Sequence, residues 1–319
     1  MTYALYGNIA SFDYNTFVGS NPATSSGSLN TVWAIGGSSA GYGQTAVPQV
    51  LYGSRVFSAN WANLVNKTGQ AATHQGTSIT AVTAPVNYDN IPYVSAIPTN
   101  LTTIYNSRLN AATQGATSAN SAVYSSTWSN ALIFTHTVTF ESGDAARYFF
   151  NAGGQLKVTC SHANTTAGIN LLMHTLASNI GTVVMSSPTS GSITVSGTSY
   201  NGVTKIGGGL PAPQIQPNRG YYAMTTGNTN IFTQTASTGP AYYLNTNISI
   251  IAKSNGTQGA NGDAGSVVTL YTVWDEVAVG YGLAVGSGST TTVTVQAPET
   301  TYLANSWGTI GITGTVFGS

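Results

Sequence analysis

The side chains in this sequence best suited to acid–base, metal-binding or thiol chemistry are eight carboxylates, four histidines and one cysteine. Cleaving a glycosidic bond takes two carboxylates facing one another across it. The eight stand at Asp13, Asp89, Glu141, Asp144, Asp263, Asp275, Glu276 and Glu299. Asp275 and Glu276 are adjacent, so in a regular strand they point to opposite faces. Glu141 and Asp144 can share one side of a turn, but Asp144 is better explained by the helix cap that Ser142-Gly143-Asp144 offers. His74, His136, His162 and His174 are scattered; His136 and His162 approach each other only if their strands pair, and zinc would need further ligands. Asn261-Gly262-Asp263 looks like a piece of a calcium loop, with too few acidic ligands after it. Phosphate loops, nucleophile elbows and paired cysteines are missing. Cys160 falls on an apolar strand face, where a buried, inert thiol is expected. The sequence therefore predicts no catalytic residue, no metal site, no cofactor and no enzyme activity.

Sugar binding is the stronger competitor. Trp33, Trp61, Trp128, Trp274 and Trp307, with many Tyr and Asn, supply apolar faces for sugar rings and amides for their hydroxyls. Against this, Trp61 sits on a helical stripe and Trp128 precedes a core strand, which assigns both to packing. Tyr221-Tyr222 and Tyr242-Tyr243 are doublets with one ring on each face, so one of each pair is a candidate for a receptor or a neighbouring subunit.

The elements that would position any such group are clearest between Trp128 and His162. Leu132, Phe134, His136, Val138 and Phe140 point one way and Ile133, Thr135, Thr137 and Thr139 the other, in the period-two pattern of a strand with one richly apolar face. Ser142-Gly143-Asp144 caps a short helix over Ala145 to Asn151, Gly153-Gly154 stop it, and Gln155 to His162 alternates again. This is strand, short helix, strand. Arg147 stands among Tyr148, Phe149 and Phe150, where its guanidinium is expected to stack on a ring or bridge to Glu141 or Asp144 as a structural staple.

Around this unit, residues 1 to 40 read as an extended arm or short strand–helix element. Ser58 is placed to cap a helix to about His74, with Trp61, Leu64, Val65 and Ala72 on one stripe. A second helix starts near Pro98 and aligns Leu101, Ile104, Tyr105, Leu109 and Ala112. Residues 113 to 127 are small and polar, as in a hinge. Thr165 or Thr166 caps a third helix carrying Ile169, Leu172, Met173, Leu176 and Ile180. Short strands then follow at 182–185, 192–196, 221–225, 230–235, 241–252, 267–277, 291–295 and 309–316, with 207–220 as a Pro-rich finger. The predicted class is α+β, mainly β: an arm and helical docking region over 1–115, then over 116–319 a β-sandwich or jelly-roll-like domain with one or two packed helices.

The run Thr139 to Gly154, TFESGDAARYFFNAGG, resembles a segment recurring in virion structural proteins of tailed bacteriophages, those of cyanobacterial and other marine phages nearest. Tyr42-Gly43-Gln44, Trp61-Ala62-Asn63-Leu64 and His74-Gln75-Gly76 fit the same pattern, so the resemblance spans roughly residues 40 to 160. It implies a tail, baseplate, neck or fibre component located in the virion and assembled in the host cytoplasm. It transfers no catalytic residues.

Composition agrees with that expectation. Charged residues are 5% of the chain and the formal net charge is zero, against an ordinary charged share of about 25%. A soluble monomer normally uses net charge to keep its neighbours away, whereas a permanently assembled particle has fewer charges to desolvate. Eight cations provide no strong basic field for nucleic acid or an anionic membrane. The first fifteen residues lack the basic and continuous apolar parts of a secretory signal. No stretch approaches the roughly 20 apolar residues of a spanning helix, and a membrane barrel is not expected. The expected partners are other virion proteins and copies of the chain itself, with a trimer suggested only by analogy to fibres. A host surface glycan bound through exposed aromatics is the alternative.

Overall fold

The computed structural model describes residues 10–23, 25–86, 95–215, 217–237, 243–258, 262–277 and 283–318. Over these residues the protein is α+β, mainly β, with two antiparallel sheets packed as a sandwich. The helices are Ser11–Val18 (α1), Leu29–Trp33 (α2), Ser58–Gln75 (α3), Ala96–Asn106 (α4), Gly143–Asn151 (α5) and Ile169–Ile180 (α6). The strands before residue 200 are Gln114–Tyr124 (β1), Ala131–Thr139 (β2), Gln155–His162 (β3), Thr182–Met185 (β4), Ile193–Val195 (β5) and Thr198–Tyr200 (β6). Those after it are Val203–Ile206 (β7), Gln214–Ile215 (β8), Thr229–Thr235 (β9), Asn247–Ser254 (β10), Val267–Asp275 (β11), Ser289–Pro298 (β12) and Gly311–Gly318 (β13). One sheet runs β1-β12-β3-β4-β7, the other β13-β2-β11-β10-β9-β8, and β5 pairs with β6.

The unit β2–α5–β3 forms where the alternation and the cap place it. Leu132, Phe134, His136 and Val138 are all fully buried on one face of β2. That strand lies inside its sheet, with Thr135 opposite Tyr271 of β11 on one side and Thr315 of β13 on the other. β3 belongs to the other sheet, so the strands of His136 and His162 do not pair. In α3, Trp61 and Leu64 bury at about 1.5–3 kcal/mol each. This outweighs the roughly 1 kcal/mol that Gly69 costs a helix interior.

Several local expectations are corrected. Residues 113 to 127 are no hinge: β1 occupies most of that stretch, in register with β12, and the expected boundary at 115/116 falls inside it. The described residues among 10–35 do not leave the molecule as an arm, because α1 and α2 bury Tyr14, Phe17, Leu29, Val32 and Trp33; residues 1–9 of the expected arm lie outside the described residues. Ser58 does not cap α3. Asn60 reaches back instead, its Oδ1 accepting the Phe57 N–H at 3.1 Å. Gly168, not a threonine, precedes α6. Tyr221–Ala223 is a 3-10 turn rather than a strand. The 207–220 finger folds back on the protein's own sheet, where β8 pairs with β9 and Gln234 Nε2 donates to Pro211 O at 2.9 Å.

One continuous core joins the helices to both sheets, from Tyr14 through Trp61, Phe149 and Trp274 to Trp307. A small second cluster of Ala111, Val184, Ile193, Val195 and Tyr200 lies under the β5–β6 hairpin.

Candidate functional site

Arg147 is fully buried in α5. The helix begins because Ser142 Oγ accepts the Ala145 N–H at 3.0 Å and Asp144 puts a carboxylate in the first turn, where the helix dipole favours it. Of the two acids expected to bridge Arg147, the fold selects Asp144: Nε and Nη2 donate to Asp144 Oδ1 at 3.2 and 3.0 Å. Nη1 donates to Ala40 O at 2.7 Å, and the guanidinium lies 4.8 Å from the Tyr148 ring centroid. Asp144 also accepts the Gly262 N–H at 3.2 Å, which is the structural use of the calcium-loop-like fragment; Asn261 lies outside the described residues. Glu141 works elsewhere, its Oε1 accepting the Thr309 N–H at 2.8 Å.

One helical turn on, Asn151 Nδ2 donates to Gly41 O at 3.0 Å. α5 therefore grips the chain at residues 40 and 41, and Tyr148 covers Gly43. Gly43 has φ of +67°, and a Cβ there would stand 2.4 Å from the Tyr148 ring. Both facts call for glycine. Between these grips Tyr42 is fully buried; its hydroxyl donates to Arg108 O at 2.8 Å and accepts from Gln75 Nε2 at 2.8 Å. The His74 ring meets Tyr42 edge-on, centroids 5.3 Å apart. Gln44 closes the far side by pairing its amide with both backbone groups of Ala304, at 2.9 and 2.8 Å. Tyr42-Gly43-Gln44, His74-Gln75 and Arg147 to Asn151 thus converge in one polar clamp. It ties the helical layer, α5 and the segment after β12 together. Trp61 packs nearby on Tyr14 and Phe17 at 6.1 and 6.2 Å.

The remaining candidate aromatics are also used internally. Phe140, Phe149, Phe150, Tyr221 and Tyr222 form one chain of ring contacts, in which Phe150 and Tyr221 stack at 4.1 Å. Tyr221 is fully buried and Tyr222 is half-buried, so Tyr222 is the partly exposed ring of this doublet. Tyr222 donates its hydroxyl to Asn151 Oδ1 at 2.6 Å, and burial raises the pKa of both phenols. Tyr243 is buried and Tyr242 lies outside the described residues. All five tryptophans are buried. Trp128 Nε1 donates to Ser289 Oγ at 3.2 Å.

A polar chain that the sequence did not reveal runs from Trp128 through Ser289 and His162 to Asn170. Ser289 Oγ lies 3.0 Å from His162 Nδ1, and His162 Nε2 lies 3.4 Å from Asn170 Oδ1. The order imitates nucleophile, base and orienter. Ser289 is fully buried and His162 nearly so, leaving no room for a substrate at the hydroxyl. Desolvation lowers the pKa of His162, His136 and, to about 4, His74. Cys160, expected to be buried, is half-buried, and desolvation pushes its thiol up to about 12. Among the described residues no three His, Cys, Asp or Glu side chains group as a metal site, and no helix is long and apolar enough to cross a membrane.

A cleft of about 470 Å³ opens beside the clamp, lined among others by Ser39, Arg108, Tyr222, Gln258 and Asp263. Arg108 is already engaged there, donating from Nε and Nη2 to Ser39 and from Nη1 to Tyr105 O. No protein-family model, no curated protein and no solved structure matches the chain.

Proposed function

We propose that the chain is a non-enzymatic structural component of a tailed-phage virion, in its tail, baseplate, neck or fibre assembly. It works through contacts with other virion proteins and with copies of itself, and takes its place during assembly in the host cytoplasm. The observation that carries this reading is the convergence of the resembling segments. Residues 42–44, 74–75 and 147–151 are far apart in sequence and build one internal clamp, which supports treating the resemblance as that of a folded unit. Clamp residues face inward, as befits a part whose work is to hold a shape.

Composition adds support. With 5% charged residues and no net charge, the surface relies on hydroxyl and amide groups that hydrogen-bond across subunit contacts at small desolvation cost. Phe12, Leu51, Tyr52 and Phe57 are exposed near the start of the described chain, at 53%, 81%, 88% and 61%. Ser11 Oγ holds the Leu51–Ser54 turn through the Gly53 N–H at 2.9 Å. These side chains suit a docking region. The glycan alternative loses the tryptophans and Tyr221, which are buried, and keeps the half-buried Tyr222 at the cleft.

Sedimenting labelled protein with tailed particles and with their tail fractions tests the reading. Co-sedimentation is the expected result. A chain that stays monomeric and sediments with no particle fraction sinks it, and glycan-array binding by that same chain would move the assignment to receptor recognition.

A further inference from the structure

The sandwich ends differently on its two sides. On one, the edge strands are β7 and β8, of four and two residues. β7 carries Lys205, whose Nζ donates to Gly209 O at 2.7 Å, and Pro211, Pro213 and Pro217 surround β8. Short strands, a lysine and prolines are the devices that stop a sheet edge from pairing with another chain. On the other side the edges are β1 and β13, of eleven and eight residues. Their sequences, QGATSANSAVY and GITGTVFG, contain no Lys, Arg, Asp, Glu or Pro. The one irregularity, between Gln114 and Thr117, sits at the end of β1 and leaves residues 117–124 in unbroken register.

Among the described residues β1 pairs only with β12, and β13 only with β2. Each therefore presents a row of backbone donors and acceptors along its outer edge. The two edges are stacked closely: a Cβ on Gly314 would stand 2.3 Å from Asn120 Oδ1, and one on Gly318 2.7 Å from the Tyr124 ring. Beside the bare edges, Val123 and Phe317 are 55% and 71% exposed.

We propose that this side of the sandwich is an interface between two copies of the chain, in which β1 pairs antiparallel with β1 and β13 with β13. Because the edges are stacked, a single two-fold axis through both sheets satisfies the two pairings together. A row of free backbone groups selects a strand as occupant. Uncharged edges on a chain of zero net charge let like meet like without repulsion. The opposite side, guarded in three ways, shows what this sequence does where pairing is unwanted. The inference deepens the assembly reading and rests on it for the expectation that copies meet.

Light scattering on the full chain over a range of concentrations tests it. The wild type is expected at twice the 32.8 kDa chain mass. The double variant Ala119→Lys/Thr315→Lys sets like charges near the middle of both pairings, at exposed positions, and is expected at 32.8 kDa with unchanged circular dichroism. Ile206→Lys, on the guarded β7 edge, should stay dimeric. Should the double variant fail to fold, hydrogen exchange on the wild type decides: alternate amides of residues 117–124 must gain protection as concentration rises. A wild-type oligomer untouched by the edge charges, or amides indifferent to concentration, overturns the edge pairing and leaves the virion reading standing. A wild type monomeric at every concentration also overturns it, and particle attachment then judges the virion reading separately.

Discussion

Consider acid acting at His74, whose ring is 2% exposed in the clamp beside Tyr42. Desolvation holds its pKa down at about 4, against an ordinary 6.5, with the Ala152 backbone and Glu299 offsetting part of the burial. In the unfolded chain the imidazole takes up a proton as pH falls through about 6.5, while the folded protein keeps it neutral until about 4. Unfolding therefore binds a proton in that window, and stability falls from about pH 6.5 down to about pH 4, then levels. The gap of about 2.5 pH units is worth at most about 3.4 kcal/mol, of which about 3 is lost by pH 4. Against a typical total of about 5–15 kcal/mol, that is a large share. His136 and His162 are shifted the same way by burial and add to the loss. Urea unfolding at pH 7, 5.5 and 4 measures it in the wild type and in His74→Asn. Carboxylate titration is common to both proteins and cancels in the comparison. The variant should lose about 3 kcal/mol less than the wild type between pH 7 and 4. Equal losses would refute the reasoning.

Replacing Arg147 by Met leaves the buried Ala40 carbonyl without its partner and the 26% exposed Asp144 with only the Gly262 N–H, and should cost about 1–3 kcal/mol in denaturant titration. Arg147→Lys should recover only part of this, since a point ammonium cannot serve Asp144 and Ala40 as a planar fork does; Glu141→Gln should cost under about 1 kcal/mol. Gly43→Ala should destabilise by at least about 2 kcal/mol, joining left-handed strain to the clash with Tyr148, whereas Gly53→Ala meets nothing within 4 Å and should show the strain of about 1 kcal/mol alone. Cys160 is half-buried with its thiol pushed up to about 12, so at pH 8 it should react more slowly with a thiol reagent in the native protein than in urea; equal rates would contradict that shift.

The parts of the fold written locally were legible. β2 announces itself because a strand buried on one face must alternate, and α5 because serine, acid and glycine mark its ends. β1 gave no such signal. It is an edge strand of small polar residues with only Ala122 buried, so its membership depends on β12, some 170 positions away, rather than on its own side chains. α2 has five residues, too few to show a helical period. At the candidate site, Arg147 and its aromatic neighbours stood out as the rare cation among rings. The choice of Asp144 over Glu141 did not, because both are within reach in sequence and only the turn into α5 separates them. The Tyr42 hydroxyl, the Gln44–Ala304 pairing and the Ser289–His162 contact join residues far beyond the reach of a local pattern, where neither spacing nor composition carries information.

The ladder partners also set a timetable for biosynthesis. β2 is made early, yet both of its neighbours, β11 and β13, lie beyond residue 266. β1 has only β12 to pair with, and the Gln44 amide waits for Ala304. While the ribosome is still translating, the first half of the chain holds helices and half-made strands with apolar faces and no sheet to put them in. Such a nascent chain is a natural client for chaperones, and sheets built this way close slowly. A messenger cut short before residue 311 would yield polypeptide in which β2 has an open flank, and its expected fate is aggregation or proteolysis rather than entry into an assembly as a defective subunit.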